Sequence, residues 1–319
     1  MKIRNRFIAS AILSSLAVFT VAGPAFAAGT AFTCDAVTYQ VVGNQLKIGT
    51  VDTSVSPAVL AYSNVGAPYT TNYNAAGYNT VDNFVYAISS RPNHLLKVAS
   101  DGSVDDLGAP TGLPADFFSA GDMLISGDAL IVADSVNGEI WSVNIAGVSA
   151  EKIGQLPSSP VIELGDFAIV SSAGESSAFG FDRSSGALVS FDPTANPIVV
   201  TVNTTVAVGP GISKGAVWTD SSGSLTTFVN NTGEVYSVPN PTDVSPIASK
   251  IATGQSSSSN DGMKCALSAS AFATAPEATP TPAELPVTGS SFSDVLGLTV
   301  GALALLGAGT MMFRFRRRS

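Results

Sequence analysis

Acidic side chains beside glycine recur in the middle of the chain and are its best candidates for holding a metal ion. Asp122 and Asp166 each follow a glycine directly, and Asp261 precedes one, with Glu163 and Asn260 close by in sequence. Carboxylate and amide oxygens drawn from several segments are the ligands that Ca²⁺ prefers. Aspartate is also common in turns, where it accepts hydrogen bonds from backbone N–H groups. This second role is favoured, so the sequence predicts no metal site and keeps Ca²⁺ as the alternative.

The residue types that usually carry catalysis are few. The single histidine, His94, stands at the start of a predicted strand, where a surface role is the common one. The sequence has no nucleophile elbow, phosphate-binding loop, calcium loop or Cys/His metal spacing. Trp141 and Trp218 fall in predicted strands, and core packing is favoured over a sugar-binding platform for both. We therefore expect no catalytic residues and a protein that is not an enzyme.

The two cysteines, Cys34 and Cys265, stand near the two ends of the middle segment. In an exported protein, two cysteines are expected to pair as one disulfide. Two free buried thiols are the alternative.

The elements that would position these residues form a repeat marked by glycines. Successive glycines are separated by 44, 44, 50 and 47 residues, at Gly77, Gly121, Gly165, Gly215 and Gly262. Short runs rich in Val, Ile, Phe and Tyr follow them, without sustained helical periodicity, which predicts an all-β domain. Units of about 45 residues with room for four strands are typical of propeller blades. We predict a β-propeller of five blades with four short strands each; an irregular β-sandwich is the alternative.

The ends of the repeat region complement each other. Residues 34–41, 45–48 and 58–62 predict three strands of a blade whose first strand is missing. Residues 260–266 supply that strand from the other end of the chain. A ring closed in this way would place Cys265 on a strand beside the strand that Cys34 begins, so a disulfide would latch it.

The first 27 residues have the three parts of a secretory signal peptide. The positive start consists of Lys2, Arg4 and Arg6, and an apolar run covers residues 7–21. The segment Ala25-Phe26-Ala27 is a small-x-small cleavage site, so we expect cleavage after Ala27.

The C-terminus carries a pentapeptide, an apolar segment and a basic tail, in that order. The pentapeptide consists of Leu285, Pro286, Val287, Thr288 and Gly289. Residues 295–313 are 19 residues without a charge, just long enough at about 1.5 Å per residue to cross a bilayer core of roughly 30 Å. This arrangement resembles the sorting signal of sortase-anchored (LPxTG-type) Gram-positive cell-wall surface proteins. An ordinary single-pass membrane protein is the alternative.

The resemblance implies how the precursor would be processed. A sortase cysteine would attack the carbonyl of Thr288, and Gly289 would leave together with residues 290–319, which hold the transmembrane helix and basic tail. The acyl group would then pass to an amine of peptidoglycan. The implied partners are a sortase and, covalently, peptidoglycan, while the membrane is a partner of the precursor only. The implied location is the cell wall.

Residues 268–284 predict a stalk between the domain at residues 28–267 and the sorting motif. They are rich in Pro, Thr and Ala and have almost no large apolar side chains. Such a segment is expected to be extended and unpacked, which would lift the domain from the wall.

Motifs within the domain are similar to an uncharacterised propeller-like family of bacterial surface proteins. They are residues 74–78, 82–87, 96–98 with Asp101-Gly102, and 260–265. The resemblance implies a fold and no activity.

The charge balance excludes some classes of partner. The whole chain has a net charge of −9, and removing both end segments takes away far more basic than acidic residues. An acidic domain disfavours nucleic acid and anionic membrane surfaces as partners. We expect a wall-displayed binding or adhesion module for an unknown host or surface ligand. The alternatives are an exported propeller hydrolase or lyase with a channel-bound cation, and a pilin-like structural subunit.

Overall fold

The structure, a computed structural model, describes residues 29–172, 174–208 and 214–273. The predicted signal peptide, most of the stalk, the sorting motif, the apolar segment and the basic tail lie outside these residues. Within the described part of the chain there is no helix with the length and hydrophobicity needed to span a bilayer.

The described residues are all-β, as the sequence predicts. Strand bounds in the first half are β1 (Thr38–Val42), β2 (Gln45–Asp52), β3 (Ala58–Asn64), β4 (Tyr73–Tyr78), β5 (Val85–Ser89), β6 (Leu95–Val98), β7 (Val104–Gly108), β8 (Phe118–Met123), β9 (Ala129–Asp134) and β10 (Glu139–Asn144). Those in the second half are β11 (Ser149–Gln155), β12 (Leu164–Ser172), β13 (Glu175–Asp182), β14 (Ala187–Phe191), β15 (Val200–Ala207), β16 (Lys214–Thr219), β17 (Leu225–Val229), β18 (Glu234–Val238), β19 (Ser249–Gly254) and β20 (Asn260–Lys264).

The strands form three four-stranded sheets and one eight-stranded sheet. The four-stranded sheets are antiparallel and hold β4 to β7, β8 to β11 and β12 to β15. The eight-stranded sheet has the order β16-β17-β18-β19-β3-β2-β1-β20. Its two antiparallel halves are joined by a short parallel pairing between β19 and β3. Four consecutive short strands joined by turns are thus the recurring unit.

The C-terminal strand completes the sheet that the N-terminal strands begin. β20 pairs antiparallel with β1, in a register that runs from Thr38 opposite Lys264 to Val42 opposite Asn260. The ring closure predicted from the sequence is therefore confirmed.

The innermost strands form a closed cycle. β4 packs against β8, β8 against β12, β12 against β16, β16 against β20, and β20 against β4. Each of the five stands at the end of its sheet or half-sheet. Sheets radiating from a central cycle of strands are a propeller-like arrangement.

The repeat glycines lie in these inner strands because the strands approach one another closely. A Cβ atom at Gly121 would lie 2.7 Å from the backbone carbonyl of Ala75 on β4. One at Gly77 would lie 2.3 Å from the backbone nitrogen of Met123 on β8. Any side chain at these positions would push neighbouring inner strands apart. The glycine spacing in the sequence therefore reflects the close packing of one inner strand from each unit around the ring.

Apolar side chains fill the spaces between adjacent sheets. One cluster holds Val41 and Met263 together with Tyr78 and Val85 of the next sheet. Buried residues are interspersed with half-buried ones in β10 and β18, whereas inner strands such as β16 and β20 are buried at every position. The rise in burial towards the centre is what stacked sheets require.

Cys34 and Cys265 form the predicted disulfide. Their Cα atoms are 5.3 Å apart, and 231 positions separate them in sequence. Cys265 directly follows β20, while Cys34 precedes β1 rather than lying in it. Chain-entropy models give a crosslink over a loop of this length roughly 5 kcal/mol.

The packed domain extends past its predicted boundary at residue 267. The Ser268 carbonyl accepts a hydrogen bond from the Ser221 backbone N–H at 2.9 Å, and Ser268 Oγ donates to the Cys265 carbonyl at 2.7 Å. Phe272 packs against an apolar cluster that includes Leu60 and Trp218. Residues 268–273, predicted as the start of the stalk, thus pack on the domain, because Phe272 is partly buried against it and Ser268 satisfies backbone groups.

Candidate functional site

Carboxyl groups tie neighbouring inner strands together. Asp122 on β8 accepts the backbone N–H of Ile169 on β12 at 2.7 Å, and its other oxygen accepts the Met123 N–H at 2.8 Å. Because the first bond crosses between two sheets, this side chain supplies a link that no backbone ladder provides there.

Asp166 on β12 repeats the arrangement one sheet further round. One oxygen, Oδ1, accepts the Phe167 N–H at 2.7 Å. The other, Oδ2, accepts the Val217 N–H on β16 at 2.5 Å and lies 3.4 Å from the Gly262 nitrogen on β20. The side chain is fully buried, at 0% exposure.

Asp261 on β20 closes the series. Its Oδ2 accepts the Ala76 N–H on β4 at 2.5 Å, and the residue is 0% exposed. Its Oδ1 accepts no hydrogen bond from a donor among the described residues, and the Asp166 carboxyl group lies close to the Asp261 side chain. The three aspartates therefore hold β8 to β12, β12 to β16 and β20 to β4.

Burial decides the protonation of these groups. Desolvation raises the pKa of Asp122 to about 7 against the opposing effect of its two N–H donors. The pKa values of Asp166 and Asp261 are both raised, first by burial and then by the negative charge of neighbouring carboxyl groups. Two carboxyl groups in contact without water cannot both ionise cheaply, so the pair retains a proton at neutral pH.

The structure places Asp122, Asp166 and Asp261 on inner strands, and each accepts a backbone N–H from a neighbouring inner strand. This role differs from the turn-capping role expected from the sequence, because the acceptors link strands of different sheets. Their oxygens do not form a set within 4.8 Å of one another. In the described part of the chain, the ligand atoms of Asp116, Asp134 and Glu139 do lie within 4.8 Å of one another. No sequence pattern predicted this group.

The second acidic group is formed where the loop before β8 lies beside the turn between β9 and β10. Asp134, at the end of β9, accepts the backbone N–H groups of Val136 and Asn137 at 2.7 and 3.0 Å. Asp116 reaches it from the loop before β8. No sequence spacing links these residues, because only the fold sets the loop beside the turn.

The remaining candidates lie elsewhere. Glu163 is exposed in the loop before β12, apart from the three aspartates. His94 Nδ1 lies 2.8 Å from a carboxylate oxygen of Asp106, at hydrogen-bonding distance. Trp218 is buried in an apolar cluster, and Trp141 packs against another, in agreement with the core roles expected of them.

Fold and site together define an all-β, disulfide-closed protein with propeller-like architecture, whose inner strands are tied by buried carboxyl groups. Residues 37–267 match the model of the family described as "Repeat of unknown function (DUF6923)". The match covers more than half of the chain, and the chain belongs to this family. No match was found among curated proteins.

Several solved structures are similar to the chain at low identity. Virginiamycin B lyase from Staphylococcus aureus is 10% identical with a TM-score of 0.42, over 65% of this chain and 62% of the lyase. A nidogen/laminin complex gives 9% identity and a TM-score of 0.43, over 72% of this chain and 98% of the other. The structure of YjhT is 12% identical with a TM-score of 0.41, over 66% of this chain and 80% of YjhT. The chain thus spans less than two thirds of the lyase, and no activity is inferred from these likenesses.

Proposed function

We propose that this protein is a cell-wall-anchored surface protein that displays a five-bladed β-propeller as a binding head. The observation that carries the proposal is the ring closed by β20 and the Cys34–Cys265 disulfide, a compact head in a chain whose ends resemble export and sorting signals. The family is one of unknown function, so the proposal rests on the residues themselves.

The blade count follows from treating the eight-stranded sheet as two blades. Its halves, β16 to β19 and β20 with β1 to β3, each have the antiparallel order of the three four-stranded sheets. They meet only through the short parallel pairing of Ala252–Gly254 with Ala58–Leu60. Each half contributes one inner strand to the central cycle, and five inner strands correspond to five blades.

A binding role is supported by how the central polar groups are used. In channel-based propeller enzymes the inner strands would present free ligands or acids to a substrate. Here the carboxyl oxygens of Asp122 and Asp166 are occupied by backbone N–H groups, and glycines bring the inner strands into contact. A ligand would therefore be expected at loops or between blades rather than on the axis.

Attachment to the wall is supported by the resemblance of residues 285–319 to a sorting signal. Because the ring is completed by β20 and Cys265, the described domain needs no later residue for its closure, which supports a tether role for residues 274–284. The Pro- and Thr-rich composition of residues 274–284 suits that use.

Cell fractionation of two threonine variants tests the proposal. Thr288→Ala removes the residue whose carbonyl sortase would attack, and we expect the variant to accumulate in the membrane fraction. Thr281→Ala, a matched change in the tether outside the pentapeptide, is expected to reach the wall like the parent protein. Wall attachment of both variants would contradict the proposal.

A further inference from the structure

A pocket lies where the turn between β9 and β10 faces the loop between β11 and β12. Its volume is about 200 Å³, below the range of about 300–1,000 Å³ that drug-sized ligands occupy, so it suits a single side chain. Leu156 and Ile162 line the pocket and also belong to the apolar cluster around Phe167. The pocket therefore opens directly beside the apolar core between two sheets.

Large apolar side chains are exposed around the pocket. Val136 and Val161 both line it, and they are 72% and 60% exposed. Phe117 is 43% exposed, and its carbonyl accepts the backbone N–H of Ser135, another lining residue, at 3.0 Å. Apolar residues scattered singly over a surface are normal, whereas a group of them beside a pocket marks an interaction site.

Carboxyl groups surround the same pocket. Asp134 lines it, and its carboxylate lies within 4.8 Å of those of Asp116 and Glu139, both of which are half-buried. Glu163, another lining residue, is exposed. Among the described residues the only salt bridge to any of these four is that of Lys152 with Glu139, at 2.6 Å. The pocket is thus an apolar surface with an excess of negative charge at its edge.

The charge determines which kind of side chain the pocket suits. The part of the lining that the structure describes includes no lysine or arginine. Arg183 lies close by in the chain fold, since its backbone N–H donates to the Glu163 carbonyl at 2.8 Å, but it forms no salt bridge with a described carboxylate. A cation from outside would relieve the repulsion among the carboxylates.

Arginine fits this surface better than lysine does. Its planar guanidinium has five N–H donors and can contact two carboxylates at once, and its methylene stem packs along apolar surface. Both oxygens of Asp134 already accept backbone N–H groups, so Asp116 and Glu139 are the carboxylates that a partner would engage.

We propose that this pocket docks a segment of a partner protein in which an arginine stands next to a large apolar residue. The guanidinium would pair with Asp116 and Glu139, and the neighbouring apolar side chain would lie against Val136 and Val161. A second copy of this chain is a poorer occupant, because the chain carries a net charge of −9 and two copies would repel each other. The inference rests on the binding role proposed above and names the chemistry of the partner.

Fluorescence polarisation titrations of the purified full-length protein, held in a mild detergent, test the inference. The probe is a labelled peptide with one arginine between two leucines and a glycine at each end. The comparison peptide has citrulline, an uncharged analogue of similar shape, in place of the arginine. We expect saturable binding of the arginine peptide, about tenfold weaker binding of the citrulline peptide, and weaker binding at higher salt concentration.

Matched variants separate this surface from the rest of the molecule. Asp116→Asn and Val136→Ser are each expected to weaken binding of the arginine peptide about tenfold. Asp105→Asn, at a half-buried position on β7, is the control for the charge. Val199→Ser, at a position 77% exposed, is the control for the apolar side chain. Both controls should bind the peptide like the parent protein.

Three binding results would overturn the inference: no saturable binding of the arginine peptide, equal binding of the citrulline peptide, or equal losses in the control variants. Self-association that Val136→Ser abolishes, measured by light scattering, would identify a second copy as the occupant and would also overturn it. Circular dichroism melts of each variant separate lost binding from lost folding. Because binding is measured without cells, its failure would leave the proposal of wall attachment standing.

Discussion

The carboxyl group of Asp261 on β20 lies beside that of Asp166 on β12, so the buried pair keeps one proton between them, and Asp261 Oδ2 accepts the backbone N–H of Ala76 on β4. One buried carboxyl pair thus joins four of the five inner strands, β12, β16, β20 and β4, at the place where the chain closes its ring. The two partners differ in one respect. Both oxygens of Asp166 accept backbone N–H groups, whereas Asp261 uses only one of its oxygens in this way.

That difference predicts opposite effects of the same substitution at the two positions. In Asp261→Asn, the amide oxygen can keep the Ala76 N–H while the amide nitrogen donates to Asp166, so a permanent donor replaces the shared proton. We expect its melting temperature at pH 8 to equal or exceed that of the parent protein. In Asp166→Asn, one backbone N–H must lose its acceptor, and we expect destabilisation of about 1–3 kcal/mol. An equal decrease in melting temperature for both variants would contradict the proton shared by Asp166 and Asp261.

The raised carboxyl pKa values predict that stability falls as pH rises from about 4 to about 7. Asp122 titrates near the ordinary aspartate value of about 3.9 when unfolded and at about 7 when folded. Between these values the native state binds more protons than the unfolded state, so the free energy of unfolding decreases with pH and then levels off. Asp122→Asn removes this contribution.

Urea unfolding at a series of pH values checks that dependence. The parent protein is expected to be more stable than Asp122→Asn at pH 5, because the variant leaves one backbone N–H without an acceptor. The difference in the free energy of unfolding between the parent protein and the variant should narrow towards pH 8, because folding the parent protein there has to protonate the Asp122 carboxylate or bury it as an ion. A gap that widens with pH would show that Asp122 is ionised in the native state.

The glycines of the inner strands are predicted to be more sensitive to substitution than glycines on the surface. In Gly121→Ala the new methyl group would meet the Ala75 backbone at 2.7 Å, and backbone cannot move aside as a side chain can. We expect overpacking to cost about 1–3 kcal/mol. Gly147→Ala is the control, because its methyl group would meet only the ends of the Asn144 and Ser149 side chains. Similar chemical denaturation midpoints for both variants would argue against contact between the inner strands.

Reduction of the disulfide is predicted to destabilise the domain by up to roughly 5 kcal/mol, the closure entropy of a loop of 231 positions. Urea unfolding with and without a reductant measures this loss. A double variant with Cys34→Ser and Cys265→Ser should match the reduced protein and should not respond to the reductant. If the reduced parent protein had the same free energy of unfolding as the oxidised one, the disulfide would not stabilise the ring.

Much of the fold could be predicted because its strands have strong local patterns. The apolar runs that follow Gly165 and Gly215 include those that form β14 (Ala187–Phe191) and β18 (Glu234–Val238), as the predicted all-β domain requires. β15 was harder, since it continues past Val200 through a run rich in Thr and Asn that has little apolar periodicity. Ring closure could be predicted because the incomplete first sheet and the extra last strand are both visible in the sequence.

The details of the sites could not be predicted, because they depend on which strands become neighbours. Asp166 and Asp261 meet although they are far apart in sequence, and nothing local to either distinguishes a shared proton from a turn cap.

The most direct test of the whole account is mass spectrometry of the C-terminal peptide of protein released from cell walls by a muramidase. The account predicts a peptide that ends at Thr288 and carries a peptidoglycan fragment in amide linkage to that carbonyl. Recovery of protein that continues unbroken through Gly289 to Ser319, from cells with an active sortase, would contradict it.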